Sequence, residues 1–423
     1  MTRITSGLNF EFLTFDPAMH RTTFLFVFLI ALASCTDAQL ISVNTTDTEK
    51  EKKIVFGAQR TDQYIPLIKG KRVAVVANQT SVIGNTHLVD SLQSLGINIK
   101  LVFAPEHGFR GNASAGETIV DSRDPQTGLP VISLYGATKK PTPIMLQDVD
   151  VVLFDIQDVG ARFYTYISTL HYVMEACAEN GKLLIVLDRP NPNGFYMDGP
   201  VLKKEFKSFV GLHPIPVVHG CTIGELAKMI IGEGWLETEK DCKLAVVSCL
   251  NYEHSSLYHL PVNPSPNLQN MASVYLYPSL CFFEGTVVSV GRGTNLPFQC
   301  IGYPGNTTGK FEFTPKDIPH VADNPMHEGA LCTGHNLAAF GDFYFTSSKE
   351  LYLEWLTGMY EECAEKSKFF TSPGFFDQLA GTDALRKQLE AGKSASEIRE
   401  SWQEDLKTYK AMRKMYILYP DFE

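Results

Sequence analysis

Five short apolar runs in the first half of the chain, at residues 72–77, 99–104, 131–135, 149–156 and 183–187, constrain the fold more than any other feature. Several are nearly unbroken by polar residues, the pattern of parallel strands buried on both faces. The stretches between them have helical spacing. Within 164–179, Ile167, Leu170, Val173, Met174 and Cys177 recur on one face, and Asn180-Gly181 supplies a stop. Strand–helix–strand repetition predicts an α/β fold with a parallel sheet and helices on both faces. The second half is less regular. Residues 261–268 read as a proline-rich crossover loop, and 284–297 are rich in Gly, Ser and Thr. The C-terminus is helical. Gly392 closes one helix, Ser394-x-x-Glu397 is a capping box for the next, and Ile398, Trp402, Leu406 and Tyr409 form its apolar face.

Parallel strands bring their carboxyl ends to one rim, and ligands of open α/β sheets bind there. Four of the runs end in polar clusters: Asn78-Gln79-Thr80, Glu106-His107, Asp155-Ile156-Gln157-Asp158 and Asp188-Arg189-Pro190-Asn191. The second cluster is the most informative. In Ala104-Pro105-Glu106-His107-Gly108-Phe109-Arg110-Gly111 a buried strand meets a carboxylate, an imidazole and a guanidinium, and two glycines let the backbone turn. Glu106, Asp155, Asp158 and Asp188 could converge with Glu284. Paired carboxylates suit glycoside hydrolysis, where one acid protonates the leaving oxygen and a second group supports positive charge on the sugar. Tyr135, Phe163, Tyr164 and Tyr166 could stack on a pyranose. Side chains such as Asn78, Gln157, Asn191 and Asn267 could read its hydroxyls. Arg110, Arg162, Arg189 and Arg292 are candidates for a carboxylate, although Arg110, Arg162 and Arg189 would serve equally in structural ion pairs.

Other classes fit poorly. The net charge is −10 with no basic block, which argues against nucleic acid as a partner. No dinucleotide fingerprint follows the first strand, and Gly291-Arg292-Gly293 lacks the third glycine, so no cofactor is expected. His327-Glu328 lacks the second histidine of a zinc protease, and no Gly-x-Ser-x-Gly elbow occurs, so neither a metal site nor a serine hydrolase is expected. The nine cysteines lie far apart. Cys242 and Cys249 could pair in an oxidising compartment, while small buried thiols explain most of the others.

The start of the chain has the form of an export signal. Met19-His20-Arg21 precedes an apolar run over 23–33, too short for a stable anchor. It closes in Leu32-Ala33-Ser34-Cys35, which resembles a bacterial lipobox with Cys35 as the lipidated residue; ordinary cleavage after Ala33 is the alternative. The expectation is a leader over 1–35 and a polar tether over 36–52. The product would be a periplasmic or cell-surface lipoprotein that meets the membrane through its lipid.

Taken in order, the stretches 103–111, 115–117, 128–136, 154–169, 187–194, 208–211, 219–227, 264–267, 284–286 and 291–298 resemble those of the bacterial exo-β-N-acetylmuramidase family. The match spans roughly residues 54–423. The resemblance implies release of N-acetylmuramic acid from the non-reducing ends of peptidoglycan fragments. It also implies a Rossmann-like catalytic domain over 53–262 and a smaller C-terminal α+β domain over 263–423 closing a cleft. The family's catalytic glutamate falls on Glu106, and the neighbouring histidine on His107. Asp155 and Asp158 are the other catalytic candidates. The chain departs from the pattern around 251–256, where a Gly-Trp and an arginine are expected, and carries Cys221 where a methionine is usual. A lipid-anchored sugar-binding protein without turnover is the alternative.

Overall fold

A computed structural model describes residues 53–111, 121–343 and 348–423. The leader and tether, with Cys35, lie outside them. Helix α1 (Thr61–Ile68) leads into strand β1 (Arg72–Ala77), a small hairpin of β2 (Val82–Ile83) and β3 (Thr86–His87), and α2 (Leu88–Ser94). Next come β4 (Asn98–Ala104), β5 (Ser122–Arg123), β6 (Pro130–Ser133) and α3 (Pro143–Leu146). Then follow β7 (Val151–Asp155), α4 (Tyr166–Glu179), β8 (Leu183–Leu187), α5 (Ile223–Gly232) and β9 (Lys243–Val247).

These strands form one sheet in the order β5-β6-β4-β1-β7-β8-β9, parallel except for the β5 edge. Ranked along the chain, its six parallel members stand 3-2-1-4-5-6, the doubly wound Rossmann order. Side chains alternate between two cores. Ala74, Val76, Val152, Phe154, Leu184 and Val186 face the first core, which takes in α4 and α5. Val73, Val75, Val151, Leu153, Ile185 and Leu187 face the second, with α1 and α2. This two-sided burial is why the strand sequences are apolar without alternation. Each fully buried Val, Leu or Ile contributes about 1.5–3 kcal/mol of transfer free energy.

The second half opens with α6 (Met271–Leu280). It then contains a three-stranded antiparallel sheet of β10 (Cys300–Tyr303), β11 (Phe311–Phe313) and β12 (Cys332–Asn336), with further helices towards the C-terminus. Its buried residues, including Phe282, Leu356, Trp402 and Tyr409, continue the core under α4 and α5. The expected C-terminal stripe is buried but belongs to two helices. Ser394 caps Ala395–Glu400 with Glu397, the chain breaks at Ser401-Trp402, and Gln403–Arg413 follows. Eight cysteines fall among the described residues and all are free thiols, so Cys242 and Cys249 are not bridged. No described helix is long and apolar enough to cross a membrane.

Candidate active site

The rim above β4 and β6 carries the site. Gly108 N–H donates to the Pro105 carbonyl at 3.0 Å and closes a tight turn with Glu106 and His107 at its centre. His107 takes φ 70° there, a left-handed conformation that favours glycine, and Gly108 follows at φ 77°. A residue other than glycine held there costs about 1–3 kcal/mol, and such strain concentrates at functional sites. Because β6 pairs with β4, Tyr135 just past the end of β6 is brought beside Glu106. Its phenol hydrogen-bonds with the Glu106 carboxyl, and burial together with that carboxylate pushes the phenol above its usual range. Thr165, which opens α4, donates its hydroxyl to Glu106 Oε2 at 2.7 Å.

Glu106 and His107 line a cavity of about 480 Å³. One wall is aromatic. Tyr277 meets Phe163, Tyr164 and Phe298 edge-to-face at centroid distances of 5.4, 5.7 and 5.0 Å. Tyr164 is fixed by its hydroxyl, which donates to the Pro264 carbonyl at 2.8 Å. Another wall is charged. Glu284 lies in the short 3-10 segment after α6, and Arg292 in a turn between Gly291 and Gly293, both at φ 77°. A Cβ on Gly291 would stand 2.5 Å from Cys300 Sγ, so the turn that presents Arg292 needs glycine there. Arg292 places Nε and Nη2 at 2.8 and 2.7 Å from the same Glu284 oxygen, Oε1, and its guanidinium lies 4.9 Å from the Phe298 ring centroid. Both side chains of the pair remain about a quarter exposed, at 26% and 23%.

Seven of the sequence candidates therefore line the cavity: Glu106, His107, Tyr135, Phe163, Tyr164, Glu284 and Arg292. The others are engaged elsewhere. Asp155 is fully buried and bound bidentately by Arg189 at 2.6 and 2.9 Å, and Arg189 also donates to the Val82 carbonyl. Asp158 accepts from Gly160 N–H at 2.7 Å and lies 3.7 Å from His219 Nε2, outside the cavity lining. Arg162 spends its guanidinium on the carbonyls of Pro200, Ile215 and Leu379, and burial lowers it to about 9. Arg110 bridges Asp90 and Asp124 at 3.1 and 2.9 Å.

The amides act as struts. Asn78 Oδ1 accepts from Thr80 N–H and hydroxyl, and Gln157 Nε2 donates to the carbonyls of Asp158 and Pro190. Asn191 Nδ2 donates to the Cys221 carbonyl and Asn267 Nδ2 to the Val321 carbonyl. The reason is positional. Asn78, Asp155 and Gln157 stand between β1 and β7, where the strand order reverses and a Rossmann protein would seat a dinucleotide. Here that crevice is filled by the hydrogen bonds these residues make with Thr80 and Ser81 and by the Asp155–Arg189 pair, and the cavity opens beside it, over β4 and β6. No cluster of three or more His, Cys, Asp or Glu suited to a metal occurs among the described residues.

Sequence reasoning passed over Thr165, Tyr277 and the wall formed by 321–326, which includes Asp323. Thr165 had a signal, since it stands at the start of the helical stretch read over 164–179. The 321–326 wall had none.

A doubly wound α/β scaffold with a carboxyl, an ion pair and an aromatic wall around a sugar-sized cavity defines a carbohydrate-processing class of protein. Family models narrow it. Residues 73–272 match the N-terminal domain of the exo-β-N-acetylmuramidase NamZ, and residues 275–419 match its C-terminal domain. The chain belongs to that family of glycoside hydrolases. It is 39% identical over 424 residues to the peptidoglycan β-N-acetylmuramidase NamZ of Bacillus subtilis strain 168, covering 95% of this chain and all of that one. Two solved structures of DUF1343 family proteins from Bacteroides fragilis share the fold. One has a TM-score of 0.81 at 45% identity, covering 88% of this chain and 100% of that one. The other has a TM-score of 0.69 at 30% identity, covering 86% and 99%.

Proposed function

We propose that this protein releases N-acetylmuramic acid from the non-reducing ends of peptidoglycan fragments, with Glu106 as the principal catalytic carboxyl. The observation that carries the reading is the setting of Glu106. It is half-buried in a cavity for one sugar, and Thr165 and Tyr135 fix its carboxyl. A carboxyl so held can deliver a proton to the glycosidic oxygen as the bond breaks. Tyr164 and Tyr277 present apolar ring surface to the sugar. Arg292 supplies specificity. Two of its nitrogens engage one Glu284 oxygen, and Nη1 makes no hydrogen bond among the described residues. That nitrogen suits the lactyl carboxylate that distinguishes muramic acid from glucosamine. Glu106→Gln tests the assignment. General acid catalysis is worth about 10²–10⁴-fold, so turnover of a muramyl disaccharide should fall by that order with unchanged folding. Near wild-type turnover would refute it.

The leader supports export and lipidation at Cys35, so the enzyme would act from a membrane surface on muramyl saccharides. Cys35→Ser should move it from the membrane to the soluble fraction. A wild-type protein already soluble after export would refute the anchor.

A further inference from the structure

A second concavity, of about 630 Å³, adjoins the cavity and shares Ser265 and Val321 with it. We propose that this groove holds the uncharged N-acetylhexosamine on the leaving side of the scissile bond. The inference rests on the catalytic reading of the cavity given above.

Three loops build both sites. The turn after β4 gives Glu106 and His107 to the cavity and Gly111 to the groove. The proline-rich loop gives Ser265 and Leu268 to the cavity and Val262, Asn263 and Pro266 to the groove. The third loop gives residues 321–326 to the cavity and His320 and Val321 to the groove. Asn267 ties the last two loops together through its 2.6 Å bond to the Val321 carbonyl. A sugar seated in the cavity with its glycosidic oxygen towards Glu106 has its next residue leaving along these loops.

The chemistry of the groove selects that residue. The cavity holds Glu106, Glu284, Arg292 and Asp323, whereas the described lining of the groove has no carboxylate, lysine or arginine. A stem peptide carries charged groups and finds no carboxylate, lysine or arginine among these described residues, while a neutral acetamido sugar needs amide and hydroxyl contacts on an apolar floor. Gln79 supplies such a contact. Its Nε2 donates to the carbonyls of Asn263 at 3.2 Å and Pro264 at 3.0 Å, which fixes the orientation of the amide. Its Oε1 is buried without a hydrogen-bond partner among the described residues. A buried acceptor left unmade is unfavourable, and a hydroxyl or acetamide N–H from the sugar would satisfy it. Gly111 keeps this corner open, because a Cβ there would stand 2.9 Å from the Gln79 side chain.

The test compares two substrates on the full chain. An N-acetylmuraminyl fluoride fills the cavity alone, because fluoride is too small a leaving group to occupy the groove, and a muramyl–glucosaminyl disaccharide reaches into the groove. Val262→Trp should raise KM for the disaccharide about tenfold by filling the groove, and Gln79→Ala about fivefold by removing one hydrogen bond. Both variants should keep turnover of the fluoride within about twofold of wild type, which also reports folding. Equal effects on the two substrates, no effect on either, or a split that appears only with a stem peptide attached would overturn the groove assignment. Wild-type protein inactive on both substrates would instead remove the catalytic reading, and this one with it.

Discussion

Replacing Asp155 by Asn separates a structural carboxylate from a catalytic one. Asp155 and Arg189 have side-chain exposures of 0% and 1%, and their two contacts measure 2.6 and 2.9 Å. With charge centres about 4 Å apart and an effective dielectric constant near 20, the attraction is about 4 kcal/mol. Breaking a buried pair from one side costs about 3–5 kcal/mol, because the partner charge stays buried. Arg189 keeps its bond to the Val82 carbonyl and its place 4.5 Å from the Phe56 ring centroid, but neither neutralises the charge. Asp155→Asn should therefore lower the thermal midpoint by on the order of 10 °C. The surviving folded protein should keep its KM and lose less than about threefold in kcat at a temperature where it is folded. Scanning calorimetry and turnover of an aryl N-acetylmuraminide check the two halves. An unchanged midpoint with a hundredfold loss of kcat would refute the reasoning and return Asp155 to the catalytic machinery.

Three further outcomes follow from the same contacts. Thr165→Val removes the 2.7 Å donor to Glu106 and should lower kcat about tenfold with little change in KM or melting; an unaffected kcat would mean that Tyr135 alone positions the carboxyl. Arg292→Ala should reduce the preference for aryl N-acetylmuraminide over aryl N-acetylglucosaminide by about 10–100-fold, and an unchanged ratio would exclude Arg292 as the carboxylate reader. Burial would raise Asp124, yet Arg110 and Thr127 hold it at about 2, below its ordinary 3.8. Its contribution to stability is thus complete above pH 3.8 and is lost as pH falls towards 2. Arg110→Ala should move the acid unfolding midpoint to higher pH and leave kcat at neutral pH unchanged. An unmoved midpoint, followed by circular dichroism, would show that the Arg110 bridge is inconsequential.

What the chain's own order of residues determined was local. Apolar runs without alternation specify strands covered on both sides, and period-two side chains then divide between two cores whatever else the fold does. The Glu106 turn was legible for the same reason: strand end, carboxylate, imidazole and glycine are consecutive, and the rim of a parallel sheet is where they must fall. The Gly291-Arg292-Gly293 turn was visible as a motif, but nothing near it in sequence indicated that Arg292 would face the Glu106 cavity. Tertiary structure alone decided which polar groups at that rim meet solvent and which are consumed. Asp155 is taken by Arg189, 34 positions away, and Arg162 by the Leu379 carbonyl, 217 positions away. A strand end says that a polar side chain reaches the rim. Whether a partner waits there depends on loops distant in sequence, and a buried charge whose partner is present becomes part of the scaffold.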